Sequence, residues 1–159
     1  MEITTPDAAD VDAITDLWVD LARDQRVHGA TLRPEANRTA IREEVARHVV
    51  ADGVRVAVDD ELVGFVVFYL ETGRYQQSTT AGVVSNLYVR PAARDEGVGA
   101  ALLSAAEAAL ADAGADAVTL EAMADNDGAR RFYERHGYAP HRVEFRKPLE
   151  SDTHSKEDG

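Results

Sequence analysis

The run Val89-Arg90-Pro91-Ala92-Ala93-Arg94-Asp95-Glu96-Gly97-Val98-Gly99-Ala100 constrains this chain more than any other. An apolar strand ends at a proline, Arg-x-x-Gly-x-Gly follows, and an Ala/Leu-rich helix begins. Glycines at a strand-to-helix junction let backbone N–H groups approach an anion with no Cβ in the way. The helix dipole adds positive potential at the same point. A diphosphate cradle is the ligand site such a turn makes. The Gly-x-Gly alone also suits a plain connection that uses glycine for geometry. A nucleotide-binding P-loop needs Gly-x4-Gly-Lys-Ser/Thr, and a dinucleotide fingerprint needs a third glycine where Leu102 stands.

The pattern around this junction predicts β-α-α-β-β-β-α-β-α-β. Ile3–Thr5 reads as a first strand, with Thr5 or Asp7 capping a helix whose apolar stripe is Val11, Ile14, Leu17, Trp18 and Leu21. Residues 23–33 read as a loop. A second helix starts at Pro34, carries Ile41, Val45, His48 and Val49, and stops at Gly53. Val54–Val58 and Leu62–Leu70 form a hairpin across Asp59-Asp60-Glu61, followed by a polar loop, Glu71–Thr80. Gly82–Val89 reads as a strand buried on both faces. The helix Gly97–Ala113 has Val98, Leu102, Ala106 and Leu110 as its stripe. Val118–Met123 is a strand, Asn126 or Asp127 caps a helix to His136 with Gly137 at C′, and Tyr138–Leu149 reads as a final strand. Residues 1–149 therefore form one domain, and 150–159 a disordered acidic tail.

Composition excludes several functions. The chain has no cysteine, so disulfides, thiolate metal sites and cysteine nucleophiles are ruled out. Its five histidines show no metal-ligand spacing, and no metal is expected. The net charge of −12 argues against nucleic acid. It reads first as the solubility device of a salt-adapted, acidic proteome, and second as a surface that attracts a cationic amine. With no apolar run long enough to span a bilayer and no signal-peptide layout, the expectation is a cytoplasmic protein with no membrane partner.

A second constellation lies 27 residues beyond Gly99: Asn126-x-x-Ala129-x-x-x-Tyr133-Glu134-x-x-Gly137-Tyr138. Asn126, Arg130, Tyr133 and Gly137 are spaced to share one helical face. Taken alone, Tyr133 reads more readily as a core-edge tyrosine than as an acid.

Together with Leu87-x-Val89-x-Pro91, these two motifs resemble the GCN5-related N-acetyltransferase (GNAT) family. The resemblance runs from Ile3 to Leu149 and is densest from Leu87 to Tyr138. It implies an α/β (α+β) fold: a mixed, mostly antiparallel central sheet with two splayed parallel strands, flanked by about four helices. It implies acetyl-CoA as co-substrate, bound where Val83–Val89 and Val118–Met123 diverge. The backbone of Leu87, Tyr88 and Val89 would pair with the pantetheine arm. Arg94, with the amides of Asp95, Glu96, Gly97, Val98, Gly99 and Ala100, would hold the diphosphate. Asn126 would hydrogen-bond the pantetheine or a nearby backbone group, and Arg130, on the same helical face, would join the cofactor-binding set. Tyr133 would sit beside the CoA sulfur and supply a proton or hydrogen bond to the departing thiolate.

Glu121 is the expected base. It alternates with Val118, Leu120 and Ala122, so it faces away from the apolar side. Some relatives that acetylate protein N-termini carry a glutamate five residues before the Asn and twelve before the Tyr, and both spacings hold here. An edge glutamate satisfied by solvent or an arginine, or a water chain ending at backbone or at Glu71, is the alternative. Asp95 and Glu96 depart from the family, whose loop is more often basic or neutral at these positions.

The expected acceptor is a primary amine of a small molecule or a protein, met at loops 23–33 and 71–80, and a homodimer is possible. A catalytically silent acyl-CoA sensor or partner module is the alternative, and a nucleotide-binding domain is a weaker one.

Overall fold

The computed structural model describes residues 1–73, 75 and 77–150. Five strands form one sheet in the order β1-β2-β3-β4-β5: Glu2–Thr4, Val54–Asp59, Glu61–Leu70, Ala81–Val89 and Ala117–Leu120. All pairings are antiparallel except β4 with β5, which is parallel. Four helices flank it among the described residues: α1 Val11–Val27, α2 Arg38–Val50, α3 Val98–Asp112 and α4 Asp127–Arg135.

The period of two in β2 and β3 sorts side chains onto two cores. Val54, Val56, Phe65 and Val67 meet Ile14, Leu17, Trp18, Ile41 and Val45 of α1 and α2. Val66 and Phe68 meet Leu102, Leu103, Ala106 and Leu110 of α3 on the opposite face. The sheet is thus sandwiched between helical layers. Because β3 is covered on both sides, its centre reads as an unbroken apolar run.

Local chemistry sets the helix ends. Asp7 accepts from Ala9 N at 2.9 Å, and Asp10 reciprocates to Asp7 N at 3.0 Å, a capping box ahead of α1. Asn126 caps α4 through Ala129 N at 3.2 Å. Gly29 and Gly137 take positive φ just beyond the ends of α1 and α4.

Four expectations are corrected. Residues 23–27 are helical, because Asp20–Arg23 supports the face at i,i+3 and Gly29 provides the stop. β4 is not buried on both faces: Ser85 is exposed and Asn86 and Leu87 only half-buried, since β5 does not accompany β4 that far. β5 ends at Leu120 rather than Met123. Tyr138–Leu149 forms no strand, although its composition suits one. A strand needs a ladder partner, and this segment has none among the described residues. The tail expected to be disordered lies, from residue 151 onward, outside the described residues.

Candidate functional site

β4 and β5 pair only from Ala81↔Ala117 to Val84↔Leu120. Beyond Val84, β4 continues to Val89 while the chain after Leu120 diverges. The register between β3 and β4 slips at Ser85: Val67 pairs with Asn86 and Phe68 with Val84. This bulge bends β4 and frees a residue from the ladder where the strands part. A cleft of about 860 Å³ opens there.

The turn after β4 forms the floor at one end. Asp95 and Gly97 both take left-handed φ, +66° and +82°. An added Cβ at Gly97 would meet nothing within 4 Å, so the space above it is open. α3 has no side-chain cap, and its first bond runs from Ala101 N to Gly97 O at 3.1 Å. The amides of Val98, Gly99 and Ala100 therefore lie ahead of the helical ladder and face the cleft end with the positive end of the dipole. Donors unobstructed by side chains beside an open space fit a diphosphate. At Gly99 an added Cβ would stand 3.4 Å from the Phe132 ring, so here glycine also allows close packing of α3 against α4.

The opposite wall comes from α4 and the segment after β5. Tyr133 packs edge-on against Phe132 and Tyr138, with ring centroids 5.5 and 6.0 Å away. Burial pushes its phenol above the usual value of 10, so the neutral, proton-bearing form is favoured. Its hydroxyl has no hydrogen-bond partner among the described residues. Tyr138 donates to Glu107 at 2.7 Å and is held in place by it. Glu121 lies exposed one residue past the end of β5 and lines the cleft.

α1 forms the roof. Leu21, Asp24, Gln25 and His28 line the cleft. His28 approaches Asp125 at 3.3 Å, joining α1 to the loop before α4. Arg94 donates through Nε to the Val89 carbonyl at 2.8 Å and through Nη2 to Asp24 at 3.2 Å, with its guanidinium 5.4 Å above the Tyr88 ring. The ring of Tyr88 is buried beside Phe65. Burial, and then Asp24 and Asp20, push its phenol up.

The structure gathers Leu87, Tyr88, Val89, Arg94, Asp95, Gly97, Val98, Gly99, Ala100, Glu121, Asn126 and Tyr133 around one cleft. Two expected residues do not line it. Glu96 sits at the exposed crest of the turn. Arg130 turns back to the Ala124 carbonyl at 2.9 Å. The inward face of α4 runs through Ala129, Phe132, Tyr133 and His136, and Arg130 lies about 100° round from Ala129. Sequence reasoning missed Ser85, Asp24, His28 and Phe132. Only the glycine facing Phe132 left a trace in the sequence, because the others depend on contacts between distant segments.

Among the described residues no helix is long and apolar enough to cross a membrane, and no group of three or more His, Asp or Glu side chains could hold a metal ion. The chain matches the family model of the acetyltransferase (GNAT) family over residues 11–138. Among solved structures it is similar to the tetramutant of the BH1408 protein from Bacillus halodurans, with 21% identity, 94% of this chain and 100% of that chain covered, and a TM-score of 0.76. It is similar to a GCN5-related N-acetyltransferase from Ralstonia eutropha JMP134, with 22% identity, 93% and 97% covered, and a TM-score of 0.75. It is also similar to a ribosomal-protein-alanine N-acetyltransferase from Brucella melitensis biovar Abortus 2308, with 18% identity, 94% and 100% covered, and a TM-score of 0.65. At these identities the likeness establishes the fold. No curated protein matches the chain.

Proposed function

The chain belongs to the acetyltransferase (GNAT) family, and from that premise we propose that it moves an acetyl group from acetyl-CoA to a primary amine, directly, with both substrates bound. The observation that carries this reading is the cleft where β4 and β5 part, with the free amides of Val98, Gly99 and Ala100 at one end and Tyr133 on its wall.

The thioester supplies an activated acyl group; the chain supplies position and proton handling. The α3 amides take the diphosphate. The edge of β4 beyond Val84 offers backbone groups to the pantetheine amides as an added strand would, with the Val89 carbonyl already taken by Arg94. An amide freed near the Ser85 bulge donates to the charge that develops on the thioester oxygen. Glu121 accepts the proton the amine must lose before it attacks. The Tyr133 phenol, kept neutral by burial, donates to the sulfur as the C–S bond breaks. Asn126 commits its carbonyl to the α4 cap, which leaves its NH2 for the substrate.

The acceptor enters under α1, past Asp24, Gln25 and His28. Glu121 on the cleft wall and the net charge of −12 favour a cationic amine over a polyanion. The test is thiol release from acetyl-CoA with a panel of small-molecule and peptide amines. Release with at least one amine supports the transferase. Tight CoA binding with no release across every class would instead identify a silent acyl-CoA module.

A further inference from the structure

One ion pair joins the floor of the cleft to its roof. Arg94 belongs to the turn after β4, and Asp24 to α1; both line the cleft. The guanidinium donates through Nε to the Val89 carbonyl at 2.8 Å and through Nη2 to Asp24 at 3.2 Å. Its Cζ stands 5.4 Å from the centre of the Tyr88 ring, which packs in turn on Phe65. The Arg94 and Asp24 side chains are 45% and 53% exposed. A pair this open to water is weak and exchangeable.

A diphosphate at the α3 amides brings two or more negative charges beside Arg94. A guanidinium grips a phosphate best through two neighbouring nitrogens. With Nε on Val89 and Nη2 on Asp24, only Nη1 lacks a partner among the described residues. A two-nitrogen grip therefore draws Nη2 off Asp24. The vacated carboxylate finds no replacement beside it in the chain, because Arg23 is already held by Asp20 and Glu35. It then stands bare on the path by which the acceptor enters. The reacting nitrogen is not its natural partner. That nitrogen must lose a proton to Glu121, on another wall of the cleft, and a second carboxylate against it would hold the proton on. Asp24 suits a different positive charge on the same acceptor.

Resting on the reading of the cleft given above, we propose that Asp24 is a specificity residue kept occupied by Arg94 until CoA binds. The diphosphate draws the guanidinium away, and the freed carboxylate takes a second cationic group of the acceptor. The acceptor class is an amine that carries a further positive charge. Because coupling between two sites is reciprocal, each substrate strengthens the binding of the other by the same factor.

The test is calorimetric titration of wild type, Asp24→Asn, Asp20→Asn, Arg94→Gln and the Asp24→Asn/Arg94→Gln double variant. Asp20 lies one turn before Asp24 and bonds Arg23, so D20N removes an equal charge from the same helix and leaves the Arg94 pair intact. CoA should bind D24N about threefold tighter than wild type, the strength of an exposed ion pair. D20N should change CoA affinity far less, and D24N should give no gain over R94Q alone. Short α,ω-diamines and their matching monoamines are then titrated with and without saturating CoA. With CoA, at least one diamine should bind wild type about tenfold tighter than its monoamine. That preference should vanish in D24N and in the absence of CoA. An equal CoA gain in D20N, no gain in D24N, or a gain that persists with R94Q overturns the exchange. No diamine preference, one that survives in D24N, or one that needs no CoA overturns the role of Asp24. A wild type that binds no CoA removes the underlying reading of the cleft, and this proposal with it.

Discussion

Replacing Asp95 separates two effects carried by one residue. Its φ of +66° is left-handed, a conformation that costs an L-residue roughly 1–2 kcal/mol and Asp somewhat less. Glycine removes that strain but adds about 0.4–1 kcal/mol of unfolded-chain entropy. Asp95→Gly is therefore expected to stabilise by about 0.5 kcal/mol, a rise of ~1–2 °C in melting temperature for a chain of this size. Asp95→Asn tolerates the same backbone and removes only the charge. If the carboxylate is taken to stand about 7 Å from a bound diphosphate, in a water-like medium, it repels each of two phosphate charges by about 0.6 kcal/mol. Screening reduces the total to about 1 kcal/mol at ~0.01 M salt, about 0.5 at ~0.15 M and close to none at ~1 M. Calorimetric titration with CoA should show D95N binding about fivefold tighter than wild type in the most dilute buffer, about twofold at ~0.15 M salt, and equally at ~1 M. A D95N affinity equal to wild type at low salt, or a gain that persists at 1 M, would refute electrostatic action of this carboxylate on the anion. A lower melting temperature for D95G would refute the strain.

Gly64→Ala places a Cβ 2.8 Å from the Tyr88 carbonyl oxygen and 3.0 Å from Leu102 Cδ1. The backbone oxygen cannot yield without parting β3 from β4, so a loss of about 1–3 kcal/mol is expected in chemical denaturation, and an unchanged midpoint would contradict the packing. Tyr133→Phe keeps both ring contacts and removes a hydroxyl with no partner among the described residues. Stability should change by less than about 0.5 kcal/mol, while kcat falls about 10²-fold and CoA affinity holds; an unaltered kcat removes Tyr133 from the proton path. Since burial raises its pKa, Tyr133 keeps its proton up to at least its ordinary value of 10, and any loss of activity between pH 8 and 10 should survive in Y133F. Glu121→Gln should lower kcat/KM about 10²-fold at neutral pH and progressively less as rising pH deprotonates the amine in solution; a pH-independent loss would place the base elsewhere.

The glycine turn, the α3 stripe and the α4 termini were legible because each rests on a local rule. Gly97 takes positive φ, Leu102 and Leu110 repeat at helical spacing, and Asn126 and Gly137 bracket one helix. The bulge at Ser85 was not legible, because it arises from pairing with Val67 rather than from any local residue preference. Nor was the partner of Arg94. Asp24 lies 70 residues earlier, in a segment read as loop, since its helical support comes from the Asp20–Arg23 pair. Arg130 was misplaced by a face drawn through Asn126, which as the cap lies outside the helix proper. The segment after Tyr138 has strand composition, but composition cannot supply a partner edge.

The grip of the α3 amides on a diphosphate is tested most directly by a crystal structure of the protein with CoA bound. The diphosphate oxygens should lie within hydrogen-bonding distance of the backbone nitrogens of Val98, Gly99 and Ala100. A diphosphate held by side chains elsewhere on the chain, with those nitrogens facing only water, would contradict it.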